Sequence, residues 1–138
     1  MHPAPSIIFF TVLTGLGLGM MAWLGLGLGP DGGAYPWVAC ALALAAAGGG
    51  GVCSVGHLGR RENARLAFSQ WRSSWLSREA CLMLAAMAAF GLYAALWCLT
   101  GARFWGLGLI ASALSVATIY ATAMIYAQMR SVPRWRNP

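Results

Sequence analysis

From Ile7 to Leu28 the chain carries no charged side chain. The same holds from Tyr35 to Val55, and beyond Glu79 from Ala80 to Leu99 and from Phe104 to Tyr126. A helix needs about 20 apolar residues to cross a hydrocarbon core of about 30 Å, and each run has that length. In lipid every backbone N–H and C=O must be satisfied within the segment, which leaves helices as the form such runs take. The sequence therefore predicts one all-α integral membrane domain over 1–138, with four transmembrane helices at about 7–28, 35–55, 80–99 and 104–126. Only 9% of residues are charged, against about 25% in an ordinary soluble domain. The mean hydropathy of +0.67 agrees. The leading segment Met1-His2-Pro3-Ala4-Pro5-Ser6 lacks Lys and Arg, so the first run is expected to stay as a helix and not to be cleaved as a signal.

The remaining chemistry is concentrated. Residues 57–79 hold Arg60, Arg61, Arg65, Arg72 and Arg78 of the nine arginines, together with His57, Glu62 and Glu79. With four spans, both termini and the 59–78 connection share one side. That side carries eight arginines, including Arg130, Arg134 and Arg136, and the other side carries only Arg103. The positive-inside rule then puts both termini and the connection in the cytoplasm of a bacterial inner membrane. In helical projection Ala64, Ala67, Trp71 and Trp75 share a face beside Arg61, Arg65 and Arg72. This is the pattern of a helix lying in the membrane interface, with a solvated loop as the alternative. Arg61, Arg65, Arg72, Trp71 and Trp75 are the candidate docking residues for a partner. Ser77 is placed to cap the third helix, with Glu79 in its first turn near the positive dipole end.

Several function classes are disfavoured. A net charge of +6 invites a nucleic-acid reading, but no soluble basic face exists beyond one connection and one tail. Gly15, Gly17 and Gly19 mimic a dinucleotide loop, yet they lie within a span and follow no strand. Gly15/Gly19 and Gly25/Gly29 are instead spaced for close helix packing, and the run Gly48–Gly51 serves packing or an irregular turn. Tyr35, Trp37, Trp97 and Trp105 are expected as interfacial anchors. Cys40, Cys53, Cys81 and Cys98 are too dispersed for zinc or an iron–sulfur cluster. Bis-histidine haem needs two facing histidines within the bundle, and His2 and His57 both lie outside the spans. No redox centre or bound metal is expected in this chain. No acid stands near the middle of a span, as a small proton-coupled transporter would require.

What the connection offers is proton chemistry at a membrane edge. Oxidising a quinol releases two protons and two electrons. His57 is of the residue type best suited to a general base. Glu79 is placed to relay a proton, and Arg60 and Arg78 to bind a quinone oxygen or hold Glu79 ionised. The electrons would pass to a neighbouring subunit. A structural or transporter-like membrane protein without a redox role is the alternative, with His57 as a helix-end cap and Glu79 as a dipole match.

His57-Leu58-Gly59-Arg60, followed by Ser73-Ser74-Trp75-Leu76-Ser77-Arg78-Glu79, resembles the membrane anchor subunit of dimethyl sulfoxide reductase, the DmsC family. Phe9-Phe10-Thr11-Val12-Leu13, Met124-Ile125-Tyr126 and Val132-Pro133-Arg134-Trp135 agree with it. The look is closest to the sulfite dehydrogenase branch. The resemblance implies a haem-free anchor that holds an iron–sulfur subunit and a molybdopterin catalytic subunit on the membrane. It also implies exchange of electrons with menaquinone or ubiquinone, at a site associated with His57 and Glu79. Two departures stand out. Arg61 replaces the proline usual after the first motif. The family has about eight spans where this chain has four, so a missing C-terminal half or a second copy is an expected further partner.

Overall fold

The computed structural model describes residues 5–56 and 68–128, and among them every regular element longer than a single turn is an α-helix: α1 (Pro5–Gly25), α2 (Tyr35–Gly56), α3 (Trp75–Thr100) and α4 (Trp105–Ala127). All four are long and apolar enough to cross a membrane. Large apolar side chains cover the outside of the bundle, among them Phe9, Val12, Trp23, Leu42, Leu84 and Leu99. Apolar exposure on this scale fits a surface solvated by lipid. Trp37 and Trp105 are exposed near helix ends, as belt residues should be.

Backbone chemistry sets where the helices stop. α1 closes in a Schellman-like turn: Gly27 takes a left-handed φ of 74°, its N–H donates to Leu24 O, and Leu28 N–H donates to Trp23 O. The first span thus ends at Gly25, and the three following residues belong to the turn. α3 ends at Gly101, φ 72°, whose N–H donates to Trp97 O at 2.9 Å.

α1 packs on α2 and α4, and α4 packs on α3, while α2 and α3 touch far less. Lipid tails are as apolar as leucine, so small residues and hydrogen bonds set these contacts. Gly17 lies on Ala43 and Ala47, and Gly50 lies on Phe10 and Thr14. Gly25 meets Gly108 and Ser112, where a Cβ on either glycine would collide with the opposite backbone. Tyr93 OH donates to Leu24 O at 3.0 Å and Ser112 Oγ to Ala22 O at 2.8 Å. Leu18, Met21, Leu24, Phe90, Tyr93 and Trp97 fill the centre.

The expectations about glycines are met in part. Gly15 and Gly19 have open space where a Cβ would stand, and Gly17 makes the close approach to α2 instead. Gly25 makes the close approach expected of it, against Gly108, while Gly29 lies in the loop after α1. Residues 48–51 continue α2 as unbroken helix with α1 packed against Gly50, so of the two alternatives the run serves packing and forms no irregular turn.

Candidate functional site

The start of α3, the ends of α2 and α4 and the start of α1 share one end of the bundle. The approach to α3 is a turn over residues 69–73, and the N–H groups of Ser73 and Ser74 both donate to Gln70 O. Ser74, in extended backbone, precedes the helix and makes no side-chain cap bond. The third helix therefore begins at Trp75, five residues earlier than expected. Ser77 is an interior helix residue and not its cap. Glu79 is the fifth residue and not a first-turn acid.

The early start separates the two charges at 78 and 79. Successive helix residues point about 100° apart, so Arg78 turns outward and Glu79 inward. Arg78 Nε donates to Trp71 O at 2.9 Å and Nη2 to Arg72 O at 2.7 Å, with its guanidinium 4.4 Å from the Trp75 ring centre. It staples the turn to the helix and does not pair with Glu79; among the described residues the one ion pair is Arg103–Asp31. Trp71 and Arg72 are exposed on the turn, with the Arg72 guanidinium 5.6 Å from the Trp71 ring. Trp75 stands edge-on to Tyr120 at 6.0 Å. Trp71 and Trp75 do not share the single helical face expected of them, since a turn lies between them. His57, Arg60, Arg61 and Arg65 lie outside the described residues.

Glu79 is 5% exposed and directed into the bundle. Its partner is Thr122 on α4, whose Oγ1 donates to Glu79 Oε1 at 2.5 Å. The same Oγ1 lies 3.1 Å from Thr118 O. A hydroxyl carries one proton, so Thr122 serves one of these acceptors at a time. Ser77 Oγ, also buried, has no hydrogen-bond partner among the described residues. Beyond Thr122 a cleft of about 240 Å³ opens between α1 and α4, lined by Thr11, Thr14, Leu18, Ile119, Ala123 and Tyr126. Thr11 Oγ1 and Tyr126 OH meet across it at 3.2 Å. Thr14 Oγ1 bonds back to Phe10 O within α1.

Thr122 and the cleft are absent from the sequence reading. A signal was present: Ser112, Ser115, Thr118 and Thr122 recur at three- and four-residue steps and put hydroxyls along one face of an apolar span. Ser115 and Thr118 bond the carbonyls four residues back, while Thr122 reaches the carboxyl of another helix.

The opposite end is built differently. Arg103 pairs with Asp31, donates to Gly29 O at 2.7 Å and Pro30 O at 3.2 Å, and lies 4.2 Å from the centre of the Trp97 ring. Trp97 is buried beneath it and is not the interfacial anchor that its place near the helix end predicts.

No solved structure matches the chain. A sulfite dehydrogenase subunit of Allochromatium vinosum is 34% identical to it across the whole chain, and the chain spans 49% of that relative's length. The family model described as DMSO reductase anchor subunit (DmsC) matches residues 1–138. A bundle of four lipid-compatible helices with a carboxyl buried at one end thus belongs to the DMSO reductase anchor subunit family, DmsC.

Proposed function

We propose that this chain is a membrane anchor that docks an iron–sulfur subunit on its arginine-rich face and exchanges electrons with quinone. The observation that carries the reading is the buried Glu79 carboxyl, held by Thr122 at that same end of the bundle. Burying a carboxyl in lipid-facing structure is costly, and intramembrane ionisable groups mark proton or substrate pathways. When a quinol is oxidised, two O–H bonds break. The two electrons leave to the iron–sulfur partner and the two protons to bases at the membrane edge. Quinone reduction is the reverse. Glu79 is the base inside the bundle, and His57, with Arg60, is its counterpart in the connection. Arg78 shapes the docking surface by fixing the turn that presents Trp71 and Arg72. A molybdopterin catalytic subunit completes the complex beyond the iron–sulfur subunit. The arginine count supports a cytoplasmic orientation of this face in a bacterial inner membrane.

Affinity purification from native membranes in mild detergent tests the assembly. Molybdenum, iron and a cluster-binding subunit are expected with the chain, and no haem Soret band from the chain itself. A chain recovered alone and metal-free from membranes rich in it overturns the reading in favour of a structural membrane protein.

A further inference from the structure

The structure has more than one opening toward lipid, and their chemistry differs. The seam between α2 and α3 holds a cleft of about 350 Å³ lined by apolar groups such as Gly48, Gly51, Met83 and Met87. Its side chains offer nothing to bond a carbonyl or accept a proton. The groove on the outer face of α1, along Gly15, Gly19, Trp23 and Tyr35, is likewise mostly apolar. The α1/α4 cleft combines an apolar floor, from Leu18 and Ile119, with hydroxyls at both sides, from Thr11, Thr122 and Tyr126. It also has a carboxyl directly behind one of those hydroxyls. Its volume of about 240 Å³ falls below the usual range for a drug-sized ligand, so it takes one ring and leaves a tail in lipid.

We infer that the quinone ring sits in this α1/α4 cleft, with Thr122 Oγ1 relaying a proton between a ring oxygen and Glu79. The inference rests on the quinone reading above and adds where the ring binds and by which atom the proton moves. In the oxidising direction one quinol O–H bond breaks and its proton passes to Thr122 Oγ1. The Thr122 proton passes to Glu79 Oε1, forming a carboxyl O–H. Thr122 ends unchanged; the second O–H proton leaves separately to a base at the membrane edge, and the two electrons leave to the iron–sulfur partner. The geometry suits this, since Thr122 borders the cleft on one side and lies 2.5 Å from the carboxyl on the other. Thr118 O, at 3.1 Å, accepts the hydroxyl's hydrogen bond when Glu79 already holds a proton. Thr11 and Tyr126, joined across the cleft, supply donors for the far ring oxygen.

The test uses the assembled complex in native membranes, a photoreactive azidoquinone and mass-spectrometric mapping of the label. Label that unlabelled quinone displaces is expected on residues 11–18 and 119–126, and it should be lost in the cleft-filling Ala123→Trp variant. Thr122→Val, which keeps the shape and removes the hydroxyl, should lower quinone-linked turnover about a hundredfold. Turnover with a soluble dye should hold, and Thr122→Ser should restore most of the loss. Displaceable label on α2 and α3, or full quinone-linked turnover in Thr122→Val, overturns the cleft assignment and leaves quinone exchange standing. Absence of displaceable label anywhere on the chain overturns quinone binding itself, and the cleft assignment with it.

Discussion

The two ends of the bundle handle charge in opposite ways. At the Arg103 end, one guanidinium ties both helical hairpins together: it meets Asp31, two loop carbonyls and the face of Trp97. Each charge there is balanced close by, and the two hairpins are fastened to each other. At the Glu79 end, the carboxyl is buried against a threonine hydroxyl, while its neighbour Arg78 is engaged with the backbone of the preceding turn. Among the described residues no cation meets this carboxyl, and a fold needing only stability would not bury it so, since a buried carboxyl without a cation is costly. On the function proposed above, the contrast separates a fastening from a working group, although both use the same residue types near helix ends.

Gly108→Leu should be the most damaging, because the new side chain meets the Gly25 backbone and the Tyr93 ring. Overpacking of this kind costs about 1–3 kcal/mol or more, and loss of folded protein in size-exclusion chromatography after detergent extraction would register it. Arg103→Ala removes an ion pair, two hydrogen bonds and a ring contact, and should cost about 2 kcal/mol in a thermal unfolding assay. Quinone-linked turnover of the protein that remains folded should be unchanged; a selective loss of turnover would erase the distinction between the ends. Arg78→Lys keeps the charge but loses the fork that spans Trp71 O and Arg72 O. It should weaken recovery of the iron–sulfur partner at a given salt concentration more than it alters the apparent KM for quinone. Gly15→Leu should be the mildest, within about 0.5 kcal/mol of the parent, since its Cβ position is open.

The four spans are legible because absence of charge over some 20 residues leaves little else for a chain to be. The details that differ share a cause. Spacing in a sequence gives separation along a helix but not which face meets a neighbour. Gly15 and Gly19 carry the expected four-residue step, yet α2 approaches on the side of Gly17, where Ala43 and Ala47 are small enough to receive it. Ser77 has the position of a cap because polar residues there precede an apolar run. The helix starts at Trp75 instead, where Tyr120 and the Arg78 staple hold its first turn. Trp97 stands near a helix end, which suggests an anchor, but Arg103 of the next turn folds over it. Glu79 stands out in the sequence as an acid beside an apolar span, but its environment does not. Thr122 lies 43 positions away, and only the packing of α3 on α4 brings the two together.

The most direct measurement compares two turnover rates of the purified complex carrying Glu79→Gln, a nearly isosteric change that keeps a hydrogen-bonding group beside Thr122. One rate is taken with a quinone analogue and the other with a soluble dye that bypasses the membrane. The quinone-linked rate should fall about a hundredfold while the dye-linked rate and the recovery of partner subunits stay at the parent level. A quinone-linked rate equal to the parent's, in a complex of normal composition, would contradict a working role for the buried carboxyl.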